Sequence, residues 1–158
     1  MKTPLLFYRD AKRRNRELFF SVLIILISVV AILFWSSIFV YIFFGLFTFV
    51  GCYLLNVYAK NKPSVIVDKR GITSTANGVG MISWEFITDF TLKDGINFEA
   101  LVILLNDEAA FFKDKSNIVK RLMKSNRQRF GSPVIIPATE FHLPLSEAIE
   151  MIKNYRNS

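Results

Sequence analysis

Seven basic residues, Lys113, Lys115, Lys120, Arg121, Lys124, Arg127 and Arg129, fall within 17 positions and are opposed there only by Asp114. A cluster of cations breaks no bonds by itself. Its chemistry is anion binding, directed at lipid headgroups, an acidic protein surface or a phosphodiester backbone. At roughly 1 kcal/mol per basic residue close to an anionic leaflet, three or four of them would hold a domain against a bilayer. The competing reading is a solvated helix face. Nucleic acid is disfavoured, because the cluster lacks the interleaved aromatic side chains that stack bases in RNA-binding modules.

Elsewhere the residue types suited to catalysis do not gather. His142 is the only histidine, so no HExxH pattern exists, and its place between Phe141 and Leu143 reads as a loop or an edge strand. Neither GxxxxGK[ST] nor GxGxxG occurs, and Gly78-Val79-Gly80 reads as hairpin chemistry rather than a phosphate loop. Asp89 and Asp94 flank one expected strand, and Asp107 and Glu108 adjoin the end of another. Carboxylate pairs can bind a metal or exchange protons, but acids are common at turns and these lack the ligand density a divalent cation needs. Cys52 is the only cysteine, which leaves neither a disulfide nor a thiolate–zinc site within one chain. The expectation is a non-enzyme without catalytic, cofactor-binding or metal residues.

The elements that must position the basic cluster begin with a long apolar run. From Leu18 to Ala59, 42 consecutive residues contain no Asp, Glu, Lys, Arg or His. As one helix the run would be roughly 63 Å long, about twice the hydrocarbon thickness of a bilayer. Two spans, 18–34 and 38–59, joined at Trp35-Ser36-Ser37, fit better. Trp35 and Tyr41 then lie near the far interface, where amphipathic rings are favoured. A hairpin buried in a soluble core is disfavoured, because the flanking polar residues are too few to cover it. A cleaved signal peptide is disfavoured by the length of the run.

The net charge of +7 splits into +4 for residues 1–17 and +3 for residues 60–158. Lys2, Arg9, Lys12, Arg13, Arg14 and Arg16 precede the first span, Lys60, Lys62, Lys69 and Arg70 follow the second, and the tip is uncharged. The positive-inside rule then puts both termini in the cytoplasm. The spans hold no ionisable group that could form a proton or ion path, which argues against transport. The organisation read from the chain is a basic tail over 1–17, a transmembrane hairpin over 18–59 and a cytoplasmic α+β domain over 60–158.

Within that domain, Pro63 ends the second span. Strands are expected at 64–68, 72–75 and 79–84, with Asp68-Lys69-Arg70-Gly71 and Asn77-Gly78 as turns. Two more are expected at 88–93 and 100–105 around Asp94-Gly95, and the run over 98–106 suits a strand covered on both faces. Asp107 and Glu108 start a helical stretch with Phe111, Ile118, Leu122 and Met123 as its buried stripe, interrupted near Ser116-Asn117. After Gly131 and Pro133, Val134-Ile135-Ile136 forms a last strand. Ser146 caps a closing helix that buries Ala148, Ile149, Ile152 and Tyr155. In "ISWEFITDF", residues 82–90, a strand ends near Trp84, one turn follows, and the next strand begins at Thr88.

The segments "VIVDKRG" (65–71), Ile72 and "ISWEFITDF" resemble the opening of bacterial pleckstrin-homology-like domains. In these, a membrane hairpin is followed by strand, charged turn, Gly, strand and I-x-W-x-x-I. Asn126, Gly131-Ser132-Pro133-Val134-Ile135 and the helix at Ser146-Glu147 look similar to a bacterial family of this architecture. The resemblance covers most of residues 63–158. It implies a small sheet or open barrel closed by a C-terminal helix, acting as an interaction module. The expected function is that of a non-enzymatic inner-membrane protein that binds a protein partner or the anionic headgroups of the membrane. The alternatives are a membrane-held immunity protein that neutralises a membrane-acting toxin, and an accessory subunit of an enzyme or transporter.

Overall fold

The computed structural model describes residues 2–35, 37–75, 79–95 and 98–158. The chain divides into two compact units, one formed by Asp10–Lys62 and the other by the residues before Asp10 together with Pro63–Ser158.

The first unit is a helical hairpin of α1, Ala11–Phe34, and α2, Ile38–Ala59. At 1.5 Å per residue these are about 36 and 33 Å long, and both are long and apolar enough to cross a membrane. The helices stop and restart where the sequence predicted. However, α1 begins seven residues before the apolar run, because Asp10 caps it by accepting from the Arg13 backbone N–H at 3.0 Å. Small residues make the seam, with Ser21, Ser28 and Ala31 buried on α1 and Gly51 on α2. The Ser21 and Ser28 hydroxyls donate to Glu17 O and Ile24 O, both at 2.7 Å, so neither is left unsatisfied. A Cβ on Gly51 would lie 2.7 Å from an Ile25 side-chain carbon, so glycine is what lets the backbones approach. The large apolar side chains point outward, Phe39 at 79 % exposure and Leu33 at 76 %. That distribution suits lipid and not a soluble core.

The second unit contains two antiparallel sheets. The first has the order β1-β2-β3-β4, from Leu5–Phe7, Val65–Asp68, Gly71–Ser74 and Gly80–Ser83. The second has the order β5-β6-β7, from Ile87–Gly95, Phe98–Leu105 and Val134–Pro137. Between β6 and β7 lie α3, Glu108–Phe112, and α4, Asn117–Phe130, and α5, Leu145–Asn157, closes the chain. One core joins both sheets, with Phe7, Val67, Ile72, Ile82, Phe90, Leu101, Ile103 and Ile136 packed against Leu145, Ala148 and Ile152 of α5. As expected for a strand covered on both faces, Ala100, Leu101, Val102 and Ile103 are all buried. Arg156 fastens the last turn of α5 to β5 by donating to Ile87 O at 2.7 Å and Thr88 O at 3.1 Å.

Several expectations are corrected. The segment read as a tail supplies β1, in register with β2 through Leu5↔Val67 and Phe7↔Val65. Three residues are too few to show a period, and their partner lies beyond the hairpin. Asp94 and Gly95 do not form the turn but belong to β5, paired with Glu99 and Phe98. Asn77-Gly78 lies outside the described residues. Ser146 is not the cap of α5. The helix starts at Leu145 with Pro144 before it, whose fixed φ suits that position. In residues 82–90, Trp84–Phe86 forms one 3-10 turn and β5 begins at Ile87. Trp84 packs partly buried while its indole N–H donates to Asp68 O at 2.9 Å.

Candidate functional site

The basic cluster lies on the end of α3, the linker after it and α4. Asp107 caps α3 by accepting from Ala110 N at 2.9 Å. Ser116 caps α4 by accepting from Val119 N at 3.4 Å. This is why the helical stretch breaks near Ser116-Asn117 as its composition suggested. Gly131 ends α4 at φ +82°, and its N–H donates to Arg127 O at 3.0 Å. Within α4 there are five basic residues and no acidic one.

The structure divides the seven cations by what they touch. Lys115 turns inward: its Nζ donates to Val79 O at 2.8 Å and sits 4.8 Å from the centroid of the Phe111 ring. Lys120 donates to Lys113 O at 3.3 Å. Arg127 approaches Glu108 Oε2 at 2.9 Å off the direct donor line, so the contact is ionic rather than a directed hydrogen bond. Lys113, Arg121, Lys124 and Arg129 are exposed and form no ion pair with a described carboxylate.

The stripe expected to be buried is the point of largest disagreement. Phe111 and Met123 are buried, but Ile118 is 75 % exposed and Leu122 is 56 % exposed. The inward stripe of α4 is Val119, Met123, Asn126 and Phe130. Phe130 stacks on Phe98 at 5.2 Å, and the Asn126 amide donates to Pro133 O at 3.3 Å. At 100° per residue, Ile118 and Leu122 share an outward stripe with Ser125 and Arg129, and Arg121 lies beside it. The sequence held a signal for this in the 119/123/126/130 spacing, which competes with 111/118/122/123.

Three of the four carboxylates weighed for chemistry are occupied with structure. Asp107 caps a helix and Glu108 pairs with Arg127. Asp89 accepts from Phe90 N at 2.7 Å and lies 3.5 Å from Lys153 Nζ, and these contacts hold its carboxyl below the usual range. His142 Nδ1 accepts from Tyr8 N at 3.3 Å, tying a loop to the end of β1. Among the described residues no three His, Cys, Asp or Glu side chains converge as metal ligands.

Set against family models, curated proteins and solved structures, the chain gives no match. The functional reading therefore rests on the geometry. The arrangement on α4 can bind a diffuse anionic surface, since its cations are spread along one exposed face and do not converge on a point.

Proposed function

We propose that this protein is a non-enzymatic docking module anchored in a bacterial inner membrane, with a pleckstrin-homology-like domain that rests on the anionic cytoplasmic leaflet through α4. The fold reading is supported by four strands plus three in two antiparallel sheets closed by a C-terminal helix. The topology reading has two independent supports. Basic residues flank both outer ends of the hairpin while the tip carries none. In addition, β1 precedes the hairpin and pairs with β2 after it, so both strands must be on one side of any membrane the hairpin crosses. An even number of spans follows.

The observation that carries the docking reading is the outward set of Lys113, Arg121, Lys124 and Arg129 around a helix without acids. The test is binding of the full chain's soluble unit to lipid in nanodiscs of varied phosphatidylglycerol content. Energy transfer from a dye at residue 124 to a headgroup dye rises with anionic lipid and falls with salt if the reading holds. Transfer indifferent to lipid charge would sink it, and transfer lost only when a soluble protein is added would point to a protein partner instead. A phosphatase fused at Ser158 is inactive for the proposed topology, and an active one overturns it.

A further inference from the structure

We infer that α4 is an interfacial helix whose Ile118 and Leu122 enter the boundary between headgroups and acyl chains. This deepens the docking reading above and rests on it. A purely electrostatic surface needs only cations, and α4 carries something more. Its two large aliphatic side chains stand one helical turn apart, so they form a single outward ridge, at 75 % and 56 % exposure. Arg129 shares the ridge's stripe, Arg121 lies beside it and Lys124 stands further round the exposed face, and their long stems can lie along apolar surface while the charged ends stay at the phosphates. A cationic polar face beside an aliphatic one is the composition of helices that lie in the plane of a membrane interface.

Two further features favour a bilayer over a protein as the occupant. Within α4 every charged side chain is basic, which suits a laterally uniform anionic surface better than a patterned partner. The unit also adjoins the apolar hairpin at two peptide bonds, Arg9–Asp10 and Lys62–Pro63, so a weak interfacial element acts at high effective concentration. The inward face of α4 is already committed to the core through Met123 and to Phe98 through Phe130. The outward ridge is no part of the packed core.

The test uses the full chain in phosphatidylcholine–phosphatidylglycerol nanodiscs, with Cys52→Ala and a single labelled cysteine introduced as Ile118→Cys. An exposed site on α4 accepts this change without loss of the core, and a second label at Lys69→Cys, in the exposed β2–β3 turn, serves as the water-facing control. Insertion predicts quenching of the residue 118 label by acyl-chain-brominated lipid and protection from iodide, with the residue 69 label open to iodide throughout. Ile118→Ser together with Leu122→Ser, read from a dye at residue 124, should weaken the lipid-proximal state by roughly tenfold or more while leaving its salt dependence intact. Quenching by headgroup-labelled lipid without acyl-chain quenching overturns insertion and leaves electrostatic docking standing. Iodide access with no lipid quenching, or iodide protection with no lipid quenching, overturns both.

Discussion

Arg9 Nε donates to Glu140 Oε2 at 3.0 Å across 131 residues of sequence. The carboxylate side chain is only 5 % exposed, and Arg9 immediately precedes Asp10, the cap of α1. Ser64, next to the exit from α2, completes the junction: its N–H donates to Phe7 O at 2.9 Å and its hydroxyl to Glu140 O at 2.5 Å. Residues flanking both chain crossings, Arg9 and Ser64, thus belong to one hydrogen-bonded node of the sheet-bearing unit. Removing the cation takes one partner from a buried carboxylate, so Arg9→Met should destabilise the unit by about 1 kcal/mol or more, and Glu140→Gln by less. Denaturant unfolding of the full chain in detergent, followed by Trp84 emission in a Trp35→Phe background, measures both. Equal, negligible effects would show that the pair is ornamental.

Two glycines at positive φ differ in how much space surrounds them. A Cβ on Gly71 would lie 2.0 Å from the Ile82 carbonyl oxygen, across the β3–β4 pair. Gly71→Ala should therefore cost about 3 kcal/mol or more, because strand backbone must move. Gly131 has open space around its Cβ position, and only its φ of +82° resists a side chain. Gly131→Ala should cost about 1 kcal/mol. The reverse order in unfolding midpoints would contradict this account.

Asp68 gives the soluble unit an acid-sensitive turn. Its carboxylate accepts from Arg70 N at 2.8 Å and Gly71 N at 3.3 Å and meets the Arg70 guanidinium at 3.0 Å, and these bonds lower its pKa from 3.8. A lowered folded-state pKa means stability that is present above the unfolded value and lost as pH falls through the folded one. The stability advantage of wild type over Asp68→Asn should be flat above about pH 5 and shrink below pH 3.8. Urea titrations at stepped pH read this directly, and a gap that widens on acidification would refute the assignment.

The cations of the cluster should separate by role. Arg121→Gln, Lys124→Gln and Arg129→Gln together should abolish most salt-sensitive membrane proximity with little change in unfolding midpoint. Lys115→Gln removes the bond to Val79 O and the contact with the Phe111 ring, so it should cost about 1 kcal/mol of stability and leave membrane proximity unchanged. The paired measurements are headgroup energy transfer and chemical unfolding on the same variants.

The hairpin was legible because 42 residues without a charge leave few alternatives, and the break at 35–37 follows from bilayer thickness. Strands β2 to β7 were legible from β-branched runs and turn residues, though their ends moved by one or two positions. The role of Leu5–Phe7 was not, because pairing with Val65–Val67 is a long-range property that three residues cannot announce. The outward ridge on α4 was misread because apolar residues occur there at two overlapping helical spacings. Only the position of the sheet decides which spacing faces it. The basic cluster was found as a set, but which of its members hold the fold and which face outward depends on contacts such as Lys115 to Val79.

The placement of β1 ahead of the hairpin also dictates an order of events during synthesis. Leu5–Phe7 leaves the ribosome before both apolar helices, yet its partner strand emerges only after them. In the proposed topology the first sheet therefore cannot close until the hairpin has been threaded and returned to the starting side. A chain whose hairpin stalls halfway, with β1 and β2 on opposite faces, keeps an unpaired β2 edge and a vacant place for Phe7 in the core. In the proposed topology, closure of the first sheet therefore comes after insertion of the hairpin.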